Sequence, residues 1–384
     1  MTAVTFTDQA REVSGARASR GKTLYHLQAL RGLAASLVVV SHCADTLAEH
    51  GLMPASVAGR LGISGYFGVA TFFLISGFII YKTSRQAFGD LHGARTFVLK
   101  RLIRIFPVYW IATALFVVLS PHRAGFTAGD IVSSLLLVPH WIASAGNMHP
   151  LVGQGWTLQY EMLFYMIFAA GLFFTRTVGT GLIVAAMAGL VLLGSAIMPL
   201  ADMTEPATIA AYWTRPIIFL FAGGIGFGLI EERMPRSFAV PYPFMLMLAV
   251  LGLWFAYSLG APLSASEQIR FPTVLVIWAL CGVWVFASIF GRSGEGAFET
   301  AAEVFGDASY SVYLFHTFVL SALLRLKLQD VSPPLFVVAA VIGANVLGYA
   351  MYRLVELPIL RTFRKMLLRA QGARNSGSVY IPPG

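Results

Sequence analysis

The chain has 384 residues, 57% of them hydrophobic and only 12% charged, with a mean hydropathy of +0.73 and a formal net charge of +9. A soluble domain carries about twice that charged fraction, so the composition excludes an ordinary water-soluble enzyme and points to a bilayer. The positive excess does not indicate nucleic acid, because the basic residues gather in alternate loops, as membrane topology requires.

Residues 1–26 are polar and basic, and are expected to form a cytoplasmic segment ahead of the first span. Ten apolar stretches follow, at roughly 28–47, 63–83, 102–120, 156–175, 179–199, 212–230, 241–259, 271–290, 309–325 and 334–354. With the N-terminus inside, 21 of the 27 Lys and Arg residues fall on the cytoplasmic side, which sets both termini there. The predicted fold is therefore all-α, a polytopic transmembrane helical bundle of about ten spans. Its embedded domain runs over 27–367, and the Gly/Ser/Pro-containing tail 368–384 is expected to be disordered in the cytoplasm. Cys43 and Cys281 both lie in apolar runs and read as buried free thiols. No internal repeat is evident, which counts against an inverted-repeat transporter.

The first stretch reads as a retained span, not a cleaved signal, because it carries Arg31 and His42. Eleven positions on a helix come to three turns plus roughly 20°, so the two side chains share a face about 16 Å apart along the axis. Ionisable groups inside a bilayer are costly and by default suggest function. A neutral imidazole at position 42 could take a proton from a hydroxyl, or attack an activated acyl group itself. The third stretch adds Arg101 and Arg104, neighbours on a helix surface. With Arg31 they form either topology anchors that snorkel to lipid phosphates or a cytoplasm-facing phosphate clamp.

The outer loop 121–155 is the longest connection, and its run Ile131 to Val138 reads as re-entrant or interfacial. His122, His140 and His149 in that loop lack ligand spacing, so no metal site is expected. The fourth stretch opens Trp156-Thr-Leu-Gln-Tyr160-Glu161-Met-Leu-Phe-Tyr165, placing Thr157, Glu161 and Tyr165 on one face. Glu161 is expected about 7 Å into the outer half, near His42, to orient an imidazolium or hold a hydroxylated acceptor. Trp156 and Tyr160 read equally as interfacial belt residues or as a platform for a sugar ring. In the ninth stretch Ser309, Tyr313 and His316 share a face, with His316 on the order of 10 Å deep. It would either line a donor's path or pin helices by hydrogen bonds. Ser76-Gly77-Phe78 and Glu356-Leu-Pro358 look structural, with Glu356 expected to pair with Arg353. No phosphate loop, nucleophile elbow or HExxH occurs.

Taken in order, these segments make the chain resemble the acyltransferase-3 family of integral membrane O-acyltransferases over about residues 25–367. The segments are Leu30-Arg31-Gly32 with His42, Phe72 to Phe78, Arg101 to Pro107, Trp156 to Tyr165, Gly306 to His316, and Tyr352 through Glu356 and Pro358. The start Leu27-Gln28 and the Trp156 to Tyr165 run look most like the exopolysaccharide-production, ExoZ-type branch. Many relatives carry aspartate where this chain has Gln28. The resemblance implies transfer of an acyl group, usually acetyl, from acyl-coenzyme A to a sugar hydroxyl of a cell-surface glycan, with Arg31 and His42 as the essential pair.

The resulting expectation is a multi-pass O-acetyltransferase of the bacterial inner membrane, with acetyl-coenzyme A as donor substrate, no bound cofactor and no metal. His42, Arg31 and Glu161 are the catalytic candidates. The donor is expected on Arg31, Arg101, Arg104, Tyr310, Ser311 and His316, and the glycan or lipid-linked saccharide on Trp156, Tyr160, Glu161 and Tyr165. Membrane lipids and the polysaccharide-biosynthesis machinery are the expected partners, and nucleic acid is not. The alternative is a transporter or flippase for a glycan or lipid-linked intermediate, which would use the same basic rim without acyl chemistry. A non-catalytic scaffold is disfavoured by the cost of keeping Arg31, His42, Glu161 and His316 in the spans.

Overall fold

A computed structural model describes residues 6–121, 125–143, 146–197, 206, 208–234, 271–291, 297–363 and 365–366. Every regular element among them is helical: α1 Phe6–Glu49, α2 Ala55–Ser84, α3 Leu91–Leu119, α4 Ala128–Leu135, α5 Trp156–Gly171, α6 Arg176–Ile197, α7 Ile209–Trp213, α8 Phe219–Arg233, α9 Phe271–Phe290, α10 Ala297–Asp307, α11 Ser309–Arg325, α12 Leu328–Val331 and α13 Pro333–Met351. The stretch predicted at 241–259 and the tail 368–384 lie outside the described residues.

Among the described residues, six helical segments are long and apolar enough to cross a bilayer: Tyr25–Glu49, Ala55–Ala87, Leu91–Leu119, Arg176–Ile197, Ile209–Arg233 and Pro333–Phe363. Of the other predicted stretches, 271–290 coincides with α9, and two fall on α5 (16 residues) and α11 (17 residues). Both α5 and α11 carry buried polar groups (Gln159, Thr157, Ser309, Ser311, His316) that lower their hydropathy, and they pack inside the bundle. By contrast, α6 turns Leu182, Leu192 and Leu193 outward, as a lipid-facing helix should.

No proline interrupts α1, which ends where Gly51 adopts φ +70° and Pro54 follows, a common helix stop. The α2–α8 contact depends on glycine. A Cβ on Gly224 would meet the backbone of Gly77 and Phe78, so the two helices touch main chain to main chain. Around that contact Phe73, Phe164 and Phe221 stack at 4.3–4.4 Å between centroids, tying α2, α5 and α8 into one core. At one end Glu231 of α8 receives Lys82 at 3.0 Å and Arg85 at 2.8 Å, while Glu232 receives Arg85 at 3.0 Å and Arg176 at 3.2 Å. These basic residues are spent on joining α2, α6 and α8.

The loop between α3 and α5 folds back on the bundle. Its helix α4 buries Asp130 and Ser134 and exposes Val132, the amphipathic pattern of an interfacial helix. The Thr127 backbone N–H donates to the Asp130 carboxylate at 2.8 Å, and Asp130 N–H donates to the Thr127 hydroxyl at 3.1 Å, closing a capping box. The backbone N–H of Thr127, its hydroxyl and nearby His140 hold the Asp130 carboxyl below the usual range, against the opposing effect of burial. Because the folded pKa is depressed, this contribution is present above the unfolded value of about 3.9 and is lost as pH falls through the folded one. Amide protection factors over residues 127–135, corrected for the intrinsic pH dependence of exchange, are therefore expected to fall below about pH 4, and Asp130→Asn should flatten that dependence. A profile identical in both proteins would refute the box as its source.

Candidate functional site

A cavity of about 340 Å³ opens between α1, α2, α3, α5, the end of α10 and α11. Its polar wall is made by Arg31, Ser76, Arg101, Arg104, Glu161 and Asp307, joined by Thr157 and the hydroxyls of Tyr165, Tyr310 and Tyr313. Phe72, Phe73 and Leu158 supply part of the apolar wall.

The three arginines differ in how they are held. Arg104 donates to Glu356 at 2.5 Å, and Ser311 donates to the other carboxylate oxygen at 2.7 Å; Glu356 has 0% exposure. Arg31 donates to the Gln28 amide oxygen at 2.8 Å, and the Gln28 amide NH₂ donates to Asp307, which also accepts from Tyr352 at 3.2 Å. A neutral amide therefore orients Arg31 without cancelling its charge. Arg101 lies over the rings of Phe97 and Tyr165 at 5.4 and 5.8 Å. Neither Arg31 nor Arg101 makes an ion pair among the described residues. Both guanidinium groups thus line the cavity without a direct ion pair, on a wall that also carries the carboxylates of Glu161 and Asp307.

Glu161 accepts from Ser76 at 2.8 Å and from Tyr165 at 2.5 Å. It faces the arginine cavity, whose wall does not include His42. The loop just ahead of α5 is packed into the protein, with Leu151, Val152, Gln154 and Gly155 buried.

His42 does not line the cavity. Its ring centroid lies 5.1 Å from that of His316, tilted by 42°, and the His316 ring lies 6.2 Å from Tyr313, which does line it. Thr157 and Tyr313 share a hydrogen bond at 2.8 Å, and Tyr313 reaches the carbonyl of Gln154 at 2.8 Å. The order from cavity to histidines is thus Tyr313, His316, His42.

Among the residues expected to meet a donor, Arg31, Arg101, Arg104 and Tyr310 converge on the cavity. Ser311 is buried against Glu356, and His316 is buried behind Tyr313. Among those expected to meet an acceptor, Glu161 and Tyr165 line the same cavity. Trp156 is half-buried, facing the His149 ring at 5.9 Å. Tyr160 has no exposed surface; it stacks on Tyr212 at 5.1 Å and donates to the Tyr212 carbonyl. Its ring is core.

Glu356 does not pair with Arg353, which is exposed. A π-helical turn over Tyr352–Glu356 rotates the chain relative to 3.6-residue spacing and brings the carboxylate inward. Asp307, Ser76 and Glu356 are thus site residues that sequence reasoning missed. A buried acid among basic and apolar residues at 353–358 was the available signal for the last. No group of three or more His, Cys, Asp or Glu is placed to hold a metal among the described residues.

Fold and site together define a helical membrane protein with an internal cavity lined by three arginines and an adjacent histidine pair. Comparison with known proteins specifies the class. The family model described as "Acyltransferase domain" matches residues 24–353, and the chain belongs to this acyltransferase-3 family. It is similar to the exopolysaccharide production protein ExoZ of Rhizobium meliloti, 32% identical over 78% of this chain and 91% of that one. It is also similar to YrhL of Bacillus subtilis, provisionally named a peptidoglycan O-acetyltransferase, at 26% identity over 83% of this chain and 52% of that one. Nodulation protein 10 of Rhizobium leguminosarum is 22% identical over 79% and 84% of the two chains. No solved structure matches. The protein is a membrane O-acyltransferase.

Proposed function

We propose that this enzyme moves an acyl group, acetyl in the first instance, from acyl-coenzyme A to a sugar hydroxyl of a cell-surface or exopolysaccharide glycan. The observation that carries the reading is the cavity wall where Arg31 and Arg101 present charge without ion-pair partners. A phosphate-bearing donor supplies the anions that these groups lack. With both termini in the cytoplasm and about ten spans in the bacterial inner membrane, the donor enters from the cytoplasm and its thioester points past Phe72 and Tyr313 toward His42.

In the simplest step His42 takes the proton of the sugar hydroxyl, whose oxygen attacks the thioester carbonyl carbon. The C–O bond forms, the C–S bond breaks, and the departing thiolate recovers the proton from the imidazolium, leaving an ester and free coenzyme A. In the two-step variant His42 first carries the acyl group and hands it to the hydroxyl. The similarity to a protein named for exopolysaccharide production supports a glycan acceptor. Trp156 and His149, stacked at the mouth of the outer loop, offer an aromatic surface for it.

The test is thiol release from acetyl-coenzyme A by the purified full chain in detergent with polysaccharide from the expressing cells, coupled to mass spectrometry of that polysaccharide with and without the protein. Acetyl-dependent thiol release and a matching loss of glycan acetyl groups in cells lacking the protein are expected. Acetyl-coenzyme A left intact, with glycan acetylation unchanged by loss of the protein, would instead favour the carrier reading and overturn this one.

A further inference from the structure

Two nitrogens on His316 are in different situations. Nδ1 lies 2.7 Å from the carbonyl oxygen of Tyr313. A carbonyl can only accept, so Nδ1 carries the hydrogen and Nε2 of the neutral ring is a bare acceptor. That Nε2 is fully buried and has no hydrogen-bond partner among the described residues. The His42 ring lies next to the His316 ring, 5.1 Å between centroids and tilted by 42°. The other polar groups close by are committed elsewhere: the Tyr313 hydroxyl to Thr157 and Gln154, and the Glu161 carboxylate to Ser76 and Tyr165.

We infer that His316 is a positioning residue for His42: its Nε2 accepts the N–H of His42, which selects the His42 tautomer and leaves the opposite His42 nitrogen bare for the reacting groups. The inference rests on the acyl-transfer reading and deepens it, because it assigns His316 to the histidine and removes it from the donor's path. A leucine could fill the same dry space without orphaning a nitrogen. The ring's value is therefore in the direction of its lone pair. When His42 takes up a proton, the same contact becomes a charge-assisted hydrogen bond and steadies the imidazolium. This gives the bundle a neutral orienting group where a carboxylate would sit in a soluble triad.

The experiment compares the full chain with His316→Leu and His316→Gln, the latter retaining an amide oxygen able to accept. Two readouts are used: labelling of His42 by diethyl pyrocarbonate, followed by mass spectrometry, and acetyl-coenzyme A turnover. Diethyl pyrocarbonate acylates a bare imidazole nitrogen and needs neither donor nor acceptor. His316→Leu is expected to slow His42 labelling at least about fivefold and to lower kcat at least about tenfold, with KM for acetyl-coenzyme A within twofold. His316→Gln is expected to recover part of both. Labelling and kcat unchanged in His316→Leu, or no recovery in a folded His316→Gln, overturns the inference. If the wild-type chain turns over no acetyl-coenzyme A while labelling still depends on position 316, the acyl-transfer reading fails and the pairing stands.

Discussion

His42→Ala is expected to lower acyl transfer by about 10²–10⁴-fold, the range that a positioned acid–base group supplies. The loss should fall on kcat. His42 is absent from the cavity wall where Arg31, Arg101 and Arg104 meet, so donor binding has no direct contact to lose. KM for acetyl-coenzyme A should stay within about twofold, since a group used only in the transition state changes kcat and kcat/KM together. Arg31→Ala should show the opposite split, a raised KM, because Gln28 aims that guanidinium at the cavity without neutralising it. The two variants also differ in how they fail. Truncation at position 42 leaves a void beside the His316 ring, whereas truncation at position 31 removes the group that donates to the Gln28 amide oxygen. Steady-state kinetics on both proteins decide the matter. A His42→Ala enzyme within threefold of wild type would remove the imidazole from the chemistry, whatever happens at Arg31.

Much of this arrangement is local and could be read along the chain. The 3.6-residue period puts Thr157, Glu161 and Tyr165 on one face, and all three line the cavity. The three-residue spacing of Arg101 and Arg104 likewise brings both to it. What could not be read is the pairing of distant segments. Gln28 bridges to Asp307 across 279 positions, Arg104 to Glu356 across 252, and His42 meets His316 from another helix. No periodicity encodes those distances; they depend on which helix lies beside which, and that is decided by close approaches such as Gly224 on Gly77. Glu356 was hidden twice over, by a partner far away in sequence and by a π turn that departs from regular helix geometry.

Glu356→Ala is the second large effect expected, and it should act on stability first. The carboxylate is fully buried and both its oxygens are engaged, one by Arg104 and one by Ser311. Removing one partner of a buried pair costs about 3–5 kcal/mol, because the other charge is left without compensation. The Arg104 side chain retains 28% exposure, which lets water and lipid phosphates relieve part of that cost, so the lower end of the range applies. Activity should fall as well, since Arg104 loses the group that holds its guanidinium over the Tyr310 ring at 5.8 Å. A combined variant separates the two roles. Arg104→Met with Glu356→Leu and Ser311→Ala replaces charges and hydroxyl by apolar groups, and such replacements of buried pairs are often neutral or stabilising. Thermal unfolding in detergent should therefore show a low midpoint for Glu356→Ala and recovery toward wild type in the triple variant, while acetyl-coenzyme A turnover stays lost in both. If the triple variant regained turnover along with stability, Arg104 would be a helix anchor only, and the anion site would rest on Arg31 and Arg101.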